Sequence, residues 1–144
     1  MKVTVPIICY ETVYGEFVSS YTKKGGDFIT IISNDAWWGN TEGHKQLLSY
    51  ARLRAIENRR YIVRSANSGI SSIINHKGQI LSTLKYEKYG ILTGTAEKVS
   101  GKTFYNNYGD FIARISIFIS ISMILIIFVT SNKNFVSAYN KGTL

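Results

Sequence analysis

The chain has 144 residues but only one cysteine, one proline and two histidines. A lone cysteine cannot close an intramolecular disulfide, and cysteine usage therefore leaves the redox compartment open. One cysteine and two scattered histidines also lack the ligand spacing of a zinc site. No metal and no other cofactor is expected. No N-terminal signal peptide is expected in these residues: Met1-Lys2 runs straight into "VTVPIIC", which is too short and contains the proline. Internal repeats and low-complexity segments are absent, and the ordinary composition excludes a disordered chain.

Positive charge is plentiful, with 17 Lys and Arg against 9 Asp and Glu, a net charge of +8. That balance suits nucleic acid, an anionic membrane surface or an acidic substrate. The densest cluster, "RLRAIENRRYIVR", holds Arg52, Arg54, Arg59, Arg60 and Arg64, broken by apolar residues and Glu57. No nucleic-acid module accompanies it. It reads as a solvated or ion-paired face, and no nucleic-acid partner is expected.

The last part of the chain differs from the rest. "FIARISIFISISMILIIFV", residues 111–129, carries a single charge, Arg114. A membrane-spanning helix needs roughly 20 apolar residues. Ser116, Ser120 and Ser122 can bond back to the helix backbone, and Arg114 can snorkel to an interface. Tyr105 and Tyr108 precede the run as interfacial aromatics do. A buried or β-structured element is the alternative, since isoleucine also suits strands, but the run is long for one strand. The spacing predicts a transmembrane helix over 111–130 and a short tail over 131–144. The tail has Lys133 and Lys141 and no acid, which places it in the cytoplasm and residues 1–110 on the opposite side.

Residues 1–110 alternate between strand and helix patterns. "KVTVPIIC" and "DFITIISND" read as buried strands. "ETVYGEFVSSYTKKGG" reads as a helix closing at Gly25-Gly26. In "EGHKQLLSYARLRAIENRR", Leu47, Leu48, Ala51 and Ala55 share one helix face. "YIVRSANSG" and "ISSIINHKGQILSTL" read as strands with a turn at His76-Lys77-Gly78, and "YGILTGTAE" as a last strand. The order predicts an α/β layered fold.

Two stretches carry candidate chemistry. Cys9 ends the first apolar strand. By residue type alone it is a small buried hydrophobe. As a nucleophile it would need a pocket, a means of becoming a thiolate and donors for an oxyanion. His44 and His76 share no motif with it and read as surface or packing histidines. "SNDAWWGNTEGH" follows the second strand, where α/β folds place their sites. Trp37 and Trp38 fit an apolar pocket wall, a membrane-interface anchor or simple packing. Asp35 reads as a base or a helix-start carboxylate, and "RSANSG" as a structural turn tied by Asn67.

Together these stretches resemble the nitrilase superfamily of carbon–nitrogen hydrolases. "PIICYE" is similar to its nucleophile motif, "RLRAIENRRYIVRSANSG" to the segment after the site, and "SSIINHKGQIL" to its hairpin with Lys-Gly at the turn. The likeness runs over most of residues 3–97. "SNDAWWG", "TFYNNYGD" and the apolar helix resemble the apolipoprotein N-acyltransferase branch.

The resemblance implies a partial α-β-β-α sandwich over residues 1–100, a connector over 101–110 and a single C-terminal transmembrane helix. It implies transfer of an acyl chain from a phospholipid donor, through a cysteine thioester, to the N-terminal amine of a diacylglyceryl apolipoprotein acceptor. Such enzymes sit in the bacterial inner membrane with the nitrilase-like part periplasmic. Cys9 matches the nucleophile, Tyr10 and Glu11 the neighbours that support the site, and Trp37 a pocket-lining position, with Trp38 beside it. The family's Glu–Lys–Cys triad places its glutamate and lysine well upstream of the cysteine, outside these residues. Lys23, Lys24, Glu11 and Glu16 do not match those two positions. The chain therefore reads as the C-terminal portion of such an enzyme, lacking an N-terminal portion and inactive on its own. A membrane-tethered amidase, in which water resolves the acyl-enzyme, and a non-catalytic anchored remnant are the competing readings.

Overall fold

The computed structural model describes residues 3–141, with side chains through residue 131. Lys2 of the expected first strand and residues 142–144 of the expected tail lie outside the described residues. The chain divides into two units, Met1–Gly109 and Asp110–Leu144.

The first unit is built on five strands in sequence order: β1 (Thr4–Ile8), β2 (Phe28–Asn34), β3 (Tyr61–Asn67), β4 (Ser71–Ile74) and β5 (Ile80–Leu84). β1, β2 and β3 are parallel, and β3, β4 and β5 antiparallel. Helix α1 (Gly15–Lys23) crosses from β1 to β2, and α2 (Glu42–Asn58) from β2 to β3. Successive right-handed crossovers in one direction put both helices on one face of the sheet. The core lies there: Val5, Ile7, Ile29, Ile31, Ile62 and Ile74 point at Val18 of α1 and at Ala51 and Ala55 of α2.

The opposite face is only partly covered. β1 and β2, read from sequence as buried strands, are buried on one side only, and Ile8 and Ile32 are each 63% exposed. Pro6 is tolerated because β1 is an edge strand, where a missing N–H costs no ladder bond. The expected last strand, "YGILTGTAE", is not one. Residues 85–103 have no regular structure, and Ile91 is 93% exposed. A Cβ on Gly94 would strike Ile73 Cδ1 at 2.5 Å, Glu97 lies beside Tyr61, and Lys98 pairs with Asp27 at 2.8 Å. The segment thus crosses the strands instead of running along one, and its backbone has no ladder to join. It buries Tyr61, and this burial with Glu97 nearby raises the phenol's pKa.

Asp27 ties this strap to the sheet edge. Its carboxylate accepts from Lys98 and from the Val3 amide at 2.9 Å, and its own amide donates to Val3 O at 2.8 Å. The Lys98 bond first, then the Val3 amide, hold the carboxyl below its ordinary value of 3.8. A depressed carboxylate adds stability above the unfolded-state pKa and loses it as pH falls through the folded-state value. Thermal unfolding followed below about pH 5 is expected to show this loss, and Asp27→Asn to flatten that part of the profile.

Buried Ser19 and Thr22 of α1 and Asn58 of α2 are explained by a short helix, α3 (Phe104–Tyr108), which falls in the expected connector. Asn106 Nδ2 donates to Ser19 Oγ at 2.9 Å, Thr22 Oγ1 at 2.8 Å and Asn58 Oδ1 at 3.2 Å. Thr22 Oγ1 also donates to Asn58 Oδ1 at 2.7 Å. α3 is thereby fastened to α1 and α2. The arginine cluster is likewise structural. Arg54 pairs with Glu57, Arg52 donates to Gly78 O, and Arg60 donates to Gly26 O and Gly101 O.

The second unit is one helix, α4 (Phe111–Lys141). Its segment Phe111–Ser131 is long and apolar enough to cross a membrane. Ser120, Ser122 and Thr130 return their hydroxyls to the carbonyls of Ser116, Phe118 and Ile126, each at 2.8 Å. These polar side chains therefore need no partner outside the helix. The expected tail is helical as far as Lys141.

Candidate active site

The parallel pairing aligns Ile8, Ile32 and Ser65 across β1, β2 and β3. The residues just beyond this row gather at one end of the sheet. Cys9 leaves β1 with φ +49°, in the left-handed region, and opens a 3-10 turn, Cys9–Val13. A side chain with a Cβ is strained there, and such strain concentrates at functional positions. Two neighbours hold the elbow. Glu11 Oε2 accepts from the Ile8 amide at 2.8 Å, and Thr12 Oγ1 donates to Cys9 O at 2.9 Å. Tyr10 is exposed and meets Tyr14 edge-on at 6.1 Å. The thiol is half-buried.

At the end of β2, Ser33 Oγ lies 3.6 Å from Cys9 Sγ and donates to Asp35 Oδ1 at 2.6 Å. Asp35 is completely buried. It is no free base, and though it stands at the start of the short turn Ala36–Trp38, its side chain makes no cap bond there. Arg64 Nη2 donates to its Oδ1 at 3.0 Å and its Oδ2 at 2.8 Å, and Arg64 Nη1 donates to Ile70 O at 2.5 Å. "RSANSG" is more than a turn. Its arginine supplies the counter-ion, and Gly69 passes so close that a Cβ would lie 2.1 Å from Asp35 Oδ2. Asn67 Nδ2 reaches Asn34 Oδ1 at 3.4 Å, and Asn67 O accepts from the Asp35 amide. Sequence reasoning missed Ser33, Arg64 and Gly69 here. The only signal was a buried-strand pattern that nonetheless carried an arginine.

Trp37 stands 85% exposed on a short turn, and Trp38 lies against Gly43 at the start of α2. A polar cavity of about 200 Å³ opens at the end of β3, lined by Asn67, Ser68, Glu87 and Lys88 among others but by neither tryptophan nor Cys9. His44 is buried, bonded to Gly39 O and stacked on Tyr86 at 4.5 Å, and His76 packs against Tyr61. Lys23 reaches Asn107 O and Lys24 sits over the Tyr21 ring. Among the described residues, no three His, Cys, Asp or Glu side chains gather as a metal site.

The elbow cysteine stands at the carboxyl ends of parallel strands, where open α/β sheets place their sites. The carbon–nitrogen hydrolase family matches residues 3–101, and the chain belongs to that family of enzymes. Among curated proteins it is similar to the apolipoprotein N-acyltransferase of Geobacter metallireducens, 36% identical over 74% of this chain and 20% of that protein. Apolipoprotein N-acyltransferase 2 of Leptospira interrogans is 39% identical over 81% of this chain and 20% of that protein. The chain spans about a fifth of the length of these relatives. A solved nitrilase-superfamily protein of Saccharomyces cerevisiae is 20% identical, with a TM-score of 0.47 over 58% of this chain and 33% of that one.

Proposed function

We propose that the chain is the carboxyl-terminal portion of a membrane-anchored lipoprotein N-acyltransferase, with Cys9 as its nucleophile. The observation that carries this reading is the strained Cys9 elbow at the strand ends, in a chain 36–39% identical to apolipoprotein N-acyltransferases.

The reaction runs in two balanced steps. The Cys9 thiolate attacks the acyl ester carbonyl of a phospholipid. A carbon–sulfur bond forms, the carbon–oxygen bond breaks, and the lysophospholipid alcohol leaves with a proton. The α-amine of a diacylglyceryl-cysteine then attacks the thioester. An amide forms, the amine loses a proton, and the sulfur is released. A glutamate base and an oxyanion-binding lysine belong to the part of the enzyme preceding Cys9. Glu11 fixes the elbow through the Ile8 amide. Tyr10 supports the elbow beside it, and Trp37 and Trp38 give the site apolar surface for the acyl chain. α4 spans the bacterial inner membrane, with the sheet unit in the periplasm and Lys133 and Lys141 toward the cytoplasm. The long apolar helix favours a lipid donor and a lipid-linked acceptor over the water of an amidase.

The test is acylation itself. The full-length protein in membranes, given phospholipid with a labelled acyl chain, is expected to carry label on the Cys9 peptide that neutral hydroxylamine releases. Residues 1–144 alone are expected to carry none. Absence of label in the full-length protein would refute the reading.

A further inference from the structure

We infer that Ser33 is a positioning residue that holds the Cys9 sulfur in both its protonation states, using the buried Arg64–Asp35 pair as its anchor. This rests on the reading of Cys9 as the nucleophile. Ser33 has one hydrogen and two partners. It lies 2.6 Å from Asp35 Oδ1 and 3.6 Å from Cys9 Sγ, and a hydroxyl donates to one acceptor at a time while still accepting. With Cys9 as a thiol, S–H donates to Ser33 Oγ and Ser33 donates to Asp35. With Cys9 as a thiolate, the sulfur needs a donor, and the Ser33 hydroxyl turns to it.

The anchor makes this turn easy. Asp35 keeps Arg64 on both oxygens when Ser33 leaves, so no buried carboxylate is stranded. Ser33 keeps its own proton throughout, and the thiol proton goes to the general base of the reaction. After acylation the sulfur is neither donor nor anion, and Ser33 returns to Asp35. The neighbouring elements leave Ser33 little else to do. It is buried, and the backbone contacts of Asp35 and Gly69 close the far side of the carboxylate.

Because Cys9 is the only cysteine, the 144-residue chain in detergent gives an unambiguous readout without any acyl donor. Two measurements on Ser33→Ala are decisive. Iodoacetamide alkylation at neutral pH is expected to slow about tenfold to a hundredfold, the worth of one hydrogen bond to a charged group. The S–H stretching band, which lies in an uncrowded infrared window, is expected to move to that of an unbonded thiol. Ser33→Thr keeps the hydroxyl and is expected to restore both. An unmoved S–H band in Ser33→Ala overturns the inference even if the threonine variant does not fold. Equal slowing in a folded Ser33→Thr overturns it too. A moved band together with failed thioester formation in the full-length enzyme would refute the acyltransferase reading while leaving the contact established.

Discussion

Replacing Cys9 with alanine is expected to lower acyl transfer by the full-length protein at least about a thousandfold, the scale on which loss of a covalent nucleophile acts. No second cysteine among the 144 residues can take over. Cys9→Ser is expected to fail almost as completely, because an alcohol is a far weaker nucleophile than a thiolate and leaves far less readily from the acyl intermediate. The fold should not register the alanine change. Cysteine and alanine both bring a Cβ to the same φ of +49°, and the two bonds that hold the elbow run from Glu11 and Thr12, not from the thiol. Activity and thermal unfolding measured on the same preparations therefore separate chemistry from structure. Full transfer in a folded Cys9→Ala would remove the thioester from the reaction.

The largest expected effect on stability lies one strand away. Arg64 and Asp35 side chains are 1% and 0% exposed. Arg64→Met leaves a carboxylate in the interior with only Ser33 and no counter-charge. Breaking a buried pair in this way costs about 3–5 kcal/mol. Removing both charges, as Arg64→Met with Asp35→Leu, is expected to recover much of that loss, since two well-packed apolar side chains carry no desolvation penalty. A double-mutant cycle by urea unfolding measures the coupling directly. A single variant as stable as the parent would mean that water reaches Asp35.

The contrast between these sites shows what a sequence makes legible. Periodicity within a few residues revealed β1 to β5, α2 and the apolar span of α4, because each pattern is local. The Arg64–Asp35 pair joins residues 29 apart, and Asn106 reaches Ser19 across 87, so neither leaves a local trace. "YGILTGTAE" has strand composition but crosses the sheet, a tertiary fact that overrides propensity. Asp35 was legible as unusual, not as buried. Cys9 was the sharpest case. Its residue type pointed to a buried hydrophobe, and only the combined motifs around it pointed to a nucleophile. Its left-handed backbone, shared with Arg59, Ser68 and Glu87, has no signature in the letters.

That backbone angle also bears on how the chain has been kept. A non-glycine residue in the left-handed region costs roughly 1 kcal/mol or more that glycine avoids. One base change turns a cysteine codon into a glycine codon. Cys9→Gly would shed this strain in a single mutational step, together with the thiol. Cys9 still stands there at φ +49°, against the preference of its own main chain.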